Sequence, residues 1–213
     1  MNYLFLASYF LLPVTSGALS TTEDPLSYRN LAGSYIPPKS PNVTTLLEFI
    51  NSRSDLSVLA EELQTIGGFS MAFDTEPTWS FTFFAPNNDA FELHTGTYFN
   101  KFKSTPKGEW WLGNTLLSHY VPNTNLSSSS FNETYQRFQT ASYLYVGSQV
   151  QDGEIILNNV ATVVEKDISI TKGTIHIVDR ILDPSAQIFE TDLPKVSQSF
   201  IPGSCSNQAL PYC

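Results

Sequence analysis

Apolar positions change their period along the chain. Leu46, Leu47 and Ile50 fall at helical spacing, and Leu56, Leu59, Ala60 and Leu63 repeat it more fully. This pattern predicts two short amphipathic helices, the second with Ser54 as N-cap and Gly67-Gly68 past its end. Phe69 to Ser80 shows no period, contains Pro77, and reads as a loop or irregular hairpin. Phe81-Thr82-Phe83-Phe84 is a buried strand stopped by Ala85-Pro86, and Asn87 or Asn88 is placed to cap a short helix through Asp89-Ala90-Phe91. From Glu109 to Tyr120 the residues Leu112, Leu116, His119 and Tyr120 share one helical face. Asn123 to Ser130 is low in complexity and reads as an exposed loop. Beyond it β-branched and aromatic residues dominate. Strands are expected at Tyr143–Val146, Ile155–Leu157, Val160–Val164, Ile168–Ile170 and Thr174–Leu182, with Asp152-Gly153 as a hairpin turn. Helices first and strands later give an α+β domain.

Outside that domain the pattern is different. Met1 to Ala18 carries no charged side chain, is apolar from Tyr3 to Leu12, and ends on small residues at Ser16 and Ala18, which reads as a secretory signal cut after Ala18. Residues 19–41 form a Pro-punctuated N-terminal arm, and residues 186–213 a C-terminal tail. Cys205 and Cys213 are close enough in that tail to pair in an oxidising compartment. Three sequons, at Asn42, Asn125 and Asn132, are acceptors for glycans on an exported chain. No later stretch is long or apolar enough for a membrane helix, so insertion of the mature chain is not expected.

Composition narrows the partners. The 213 residues carry 11 Lys+Arg against 20 Asp+Glu, a net charge of -9, which argues against nucleic acid and anionic membrane surfaces. Only 15% of residues are charged, while 25 Ser and 20 Thr supply polarity without charge. Catalytic signatures are missing: there is no Gly-x-Ser-x-Gly elbow, phosphate-cradling glycine loop or His-Glu-x-x-His pair. No cofactor or metal is expected. His119 and His176 read first as satisfied core histidines, and His94 as an exposed loop residue. Trp110 and Trp111, with His119, are the candidate ligand contacts, because adjacent tryptophans can line an aromatic pocket.

Two segments carry a family resemblance. Thr82-Phe83-Phe84-Ala85-Pro86-Asn87-Asn88-Asp89-Ala90-Phe91 resembles the first signature motif of fasciclin domains, and Gly173-Thr174-Ile175-His176-Ile177-Val178-Asp179-Arg180-Ile181-Leu182 resembles the second. Leu116 to Val121 is similar to the family's central helix end. Over residues 42–185 the resemblance implies a β-wedge of about seven strands with a cluster of helices, found in secreted or surface-attached adhesion and matrix proteins. Ser118-His119 stands where many members have Tyr-His, a dipeptide tied to integrin-type adhesion in animals. A single domain behind a signal peptide suits a fungal secreted member. The resemblance implies a non-enzymatic module binding extracellular protein or glycan in the cell wall or matrix. The alternative is an accessory or catalytic partner of secreted oxidases in polyketide pigment biosynthesis of the aurofusarin or naphthopyrone type.

Overall fold

The computed structural model describes residues 39–93, 103 and 106–183. The leader, most of the arm, His94 and the tail with Cys205 and Cys213 lie outside these residues. Helix α1, Leu46–Asn51, opens on a capping box: Thr45 Oγ1 accepts the Glu48 N–H, and the Glu48 carboxylate accepts the Thr45 N–H. A 3-10 turn, Ser54–Leu56, leads into α2, Ser57–Thr65. Ser54 does not cap α2. Instead Asn88 Oδ1 reaches across to the Val58 N–H at 3.0 Å, while Asn87 Oδ1 caps α4, Asn88–Glu92, through the Ala90 N–H. The two neighbouring asparagines thus satisfy orphan donors of two different helices.

The segment expected to be a loop contains α3, Phe69–Phe73. Five residues are too few to show a helical period, and Phe69 and Phe73 instead meet edge to face at 5.6 Å. Helix α5, Pro106–Ser118, ends earlier than the shared face suggested, because Tyr120 already belongs to strand β2, Tyr120–Pro122. The other strands are β1 (Phe81–Pro86), β3 (Gln136–Gln139), β4 (Tyr145–Gln151), β5 (Glu154–Leu157), β6 (Ala161–Ile170) and β7 (Gly173–Val178). The two strands expected between Val160 and Ile170 are one, interrupted by register shifts around Glu165, with Asp167 at φ 64°. Asp152 and Gly153 both take positive φ, which matches the twist of a two-residue hairpin joining β4 and β5.

The seven strands form one mixed sheet in the order β2-β1-β7-β6-β5-β4-β3. Only β1 and β7 run parallel, with Phe81 opposite Gly173 and Pro86 opposite Val178. The two resemblance motifs are therefore adjacent strands at the centre of the molecule. Alternation along them feeds two separate cores. Phe81, Phe83, Ala85, Ile175 and Ile177 face the helices, against Ile50, Leu59, Leu63 and Leu116. Phe84 and Val178 face the other way, into a cluster with Leu126, Phe131, Val146, Ile155 and Leu157. The sheet curls around this second core until its two outer strands approach each other. The Ala141 N–H, just after β3, donates to the Tyr120 carbonyl of β2 at 2.8 Å.

Candidate functional site

The histidines come first because imidazole is the commonest catalytic group at neutral pH. His119 sits between α5 and β2 with no exposed surface. Its Nδ1–H donates to the Phe84 carbonyl at 2.6 Å, and Nε2 accepts the Leu182 N–H at 2.9 Å. Burial pushes its pKa down to about 4, with the Phe84 carbonyl opposing. The ring is neutral, and both nitrogens are committed to backbone. His176, on β7, uses the opposite tautomer: Nε2–H donates to the Leu126 carbonyl at 2.7 Å, while Nδ1 faces the Asp167 N–H at 3.4 Å. Its pKa is lowered by burial, offset in part by the Leu126 carbonyl and Asp167. The ring stacks on Phe84 with centroids 5.7 Å apart.

Threonines complete this stitching. Thr82 Oγ1 donates to the Thr124 carbonyl and accepts the Leu126 N–H, each at 2.8 Å, and Thr174 Oγ1 donates to Asn125 Oδ1. His176, Thr82 and Thr174 together clamp the 124–126 loop onto the central strands. That loop was expected to be exposed, yet Leu126 is buried in the second core. Such an arrangement positions backbone; it presents no nucleophile or base to solvent.

Trp110 and Trp111 do not converge. On adjacent positions of α5 they take different faces. Trp110 is 70% exposed, whereas Trp111 packs against the helix-side core and its Nε1–H donates to the buried Asp183 carboxylate. His119 lies on the Trp111 side, its ring 6.3 Å from Phe83 of that core, and away from the exposed Trp110. The sequon asparagines Asn42, Asn125 and Asn132 are all exposed, and Asn132 Oδ1 accepts the Thr134 N–H at 2.8 Å. Ser118, in the position of the Tyr in the animal dipeptide, is buried; its hydroxyl meets Ser142 Oγ at 2.9 Å beneath the β3–β4 turn.

That turn carries the most open aromatic surface. Tyr143, Leu144 and Tyr145 are all exposed, Tyr143 at 83%, and Tyr135 is half exposed at the start of β3. Register gathers them. Arg137 of β3 pairs with Gly147 of β4, and Gln139 with Tyr145, so these four residues share the outer face of the hairpin. The Tyr135 ring lies directly on Gly147, where an added Cβ would come within 2.1 Å of the phenol oxygen. The Arg137 guanidinium sits 5.3 Å from the Tyr145 ring centroid. None of these residues stood out in the sequence. The usable signal was the alternation Tyr135-x-Arg137 and Tyr143-x-Tyr145, which needs the strand pairing to become a surface.

Among the described residues no group of three or more His, Cys, Asp or Glu is placed to hold a metal ion, and no helix is long and apolar enough to cross a membrane. Comparison with known proteins adds three findings. Among curated proteins none matches the chain. Among solved structures the chain is similar to a FAS1 domain pair from the insect cell adhesion molecule Fasciclin I, at a TM-score of 0.57 and 16% identity, over 67% of this chain and 51% of that one. This chain thus spans about half the length of that pair, and the likeness is one of fold. A family model described as the fasciclin domain matches residues 42–184. With two thirds of its length matched, and both motif strands paired side by side in the sheet, the chain belongs to the fasciclin domain family.

Proposed function

We propose that this fasciclin-domain chain is a secreted, non-enzymatic binding module of the cell wall or extracellular matrix that engages protein or glycan through the outer face of the β3–β4 hairpin. The observation that carries this reading is Tyr143. It holds a left-handed backbone at φ 64°, which favours glycine, and it is almost fully exposed. Neither backbone geometry nor core packing calls for an aromatic side chain there, and strain kept at an exposed aromatic is a mark of a contact surface. Tyr145, Tyr135 and Arg137 extend the same face with flat rings and a hydrogen-bonding cation, the residue types that anchor interfaces. The charge-free leader and three sequons on exposed asparagines support export. The similar insect domain pair comes from a cell adhesion molecule, which supports the reading.

The test is retention of the purified chain on insoluble wall polysaccharide and on immobilised matrix proteins. The intact chain should be retained, and a Tyr143→Ser, Leu144→Ser, Tyr145→Ser variant should be released at least tenfold faster while keeping its melting temperature. Equal retention of the two would remove the hairpin from the function. Loss of a secreted metabolite on gene deletion, with surface retention intact, would move the function to the biosynthetic alternative.

A further inference from the structure

A groove of about 310 Å³ opens beside the Trp79 indole, lined by residues of α1, α3, β1, β2 and the loop before β1. Leu46, Phe73, Pro77, Trp79, Phe81 and Tyr120 form its walls, and none of them belongs to the tyrosine face. Its aromatic rings are already ordered against one another. Tyr120 stacks on Phe81 with centroids 5.0 Å apart and lies nearly parallel to Phe73 at 6.1 Å. The Trp79 Nε1–H donates to the Tyr120 hydroxyl at 3.0 Å, which fixes the indole while half its surface stays open. In that bond the Tyr120 oxygen accepts, so its own hydrogen has no acceptor among the described residues. Thr75, Glu76 and Thr78 also line the groove; the Thr75 hydroxyl donates to the Met71 carbonyl, and the Tyr120 hydroxyl is the donor set among the rings.

Charge at the rim is balanced. The Glu76 carboxylate takes the Ser40 N–H at 3.0 Å, and Lys172, whose charge acts on Glu76, donates to the Thr78 carbonyl at 3.2 Å. Glu76 and the chain's net charge of -9 work against an anion, while Lys172 offsets part of what the Glu76 carboxylate would offer a cation. A sugar would bring a ring of hydroxyls to walls that are mainly carbon, at a desolvation cost for those left unpaired. The volume lies at the small end of ligand pockets and suits two fused rings.

We propose that this groove is a binding site for a small, uncharged, fused-ring molecule with an aromatic ring and one oxygen acceptor. Its ring system lies against Trp79 and Tyr120, and its oxygen receives the Tyr120 hydroxyl hydrogen. This site goes beyond the matrix-binding reading and stands or falls separately from it.

The probes are 1-tetralone, its hydrocarbon analogue tetralin, and 1-naphthoate, titrated into the full chain with ¹⁵N-labelled tryptophan. Trp79→Phe assigns the indole signal. The expected result is a saturable shift of the Trp79 Nε1–H signal with 1-tetralone, no matching shift at Trp110, about tenfold weaker binding of tetralin, and no binding of 1-naphthoate. Tyr120→Phe keeps the ring stack and should bring 1-tetralone down to the affinity of tetralin. The tetralone-to-tetralin ratio in the unaltered chain is informative even if that variant folds poorly. Equal affinity for the two, equal shifts at Trp110, or no saturable shift would overturn the site. Displacement of 1-tetralone by a micromolar pentaproline peptide would overturn it in favour of a peptide groove.

Discussion

The central strand pair and the β3–β4 hairpin make opposite use of similar chemistry. On β1 and β7 the polar side chains point inward and are consumed: His176, Thr82 and Thr174 each bind a loop atom, and His119 bridges Phe84 to Leu182. On the hairpin Phe138 and Val146 turn into the second core, while Tyr135, Tyr143, Leu144 and Tyr145 are left open. Residues that look like chemistry in the sequence are structural here, and residues that look ordinary form the exposed surface. Burial separates the two regions more sharply than residue type does.

The comparison breaks first at His119. His119→Leu would leave the Phe84 carbonyl and the Leu182 N–H buried without partners, and should cost about 4 kcal/mol in denaturant unfolding. A loss below about 1 kcal/mol would show that water replaces the imidazole, and the inward region would no longer count as saturated. The same residue sets a pH dependence. With a folded pKa of about 4 against an ordinary value of 6.5, the unfolded chain binds the extra proton between these limits. Stability is then full above pH 6.5 and falls as pH drops towards 4, by about 3 kcal/mol from this group. Urea midpoints from pH 7 to pH 4.5 should show the decline, and His119→Leu should make it shallower, leaving the share of His176, whose pKa is also lowered by burial. Carboxylates held low, such as Asp55 and Asp167, add their own losses only at lower pH, as they protonate.

A smaller effect is expected at Thr82. Thr82→Val keeps the shape but removes both bonds to the 124–126 loop, for about 2 kcal/mol and faster amide exchange at Leu126. Unchanged exchange there would mean that the loop is held by His176 and Thr174 without Thr82. The smallest effect has the opposite sign. Tyr143→Gly relieves a left-handed tyrosine and should raise stability by about 1 kcal/mol while weakening retention on the wall or matrix target. If both stability and binding rise, the exposed aromatics are incidental to binding.

Much of the fold was legible. Leu56, Leu59 and Leu63 carried a full helical period, and all three are buried on one side of α2 or its entry turn. The run at Phe81 and the Asp152-Gly153 turn were equally plain, because each state has a distinctive local chemistry. What escaped was held together by distant residues. Helix α3 is stabilised by Phe73 meeting Phe83 and Tyr120, with Phe69 edge to face on Phe73, not by a repeat. Strand β3 reads Gln-Arg-Phe-Gln, polar on three positions, since it is an outer strand with one face in water. The capping roles of Asn87 and Asn88 could not be separated while α2 and α4 were unplaced. The candidate contacts at Trp110 and Trp111 were singled out as neighbours in sequence, whereas the tyrosine face and the Trp79 groove are neighbours only through register and packing.

The parallel pairing of β1 with β7 also fixes the order of events during synthesis. Its partners are roughly ninety residues apart, so the slow, long-range contact that closes both cores forms only after Val178 has been made. Asn42, Asn125 and Asn132 all precede that point. In an exported chain each sequon passes the glycosylating machinery while the sheet is still open, including Asn125, whose amide is later tied to Thr174. A glycan would join Asn125 at Nδ2 and leave Oδ1 to accept the Thr174 hydroxyl, so the final strand can dock onto a loop that is already modified.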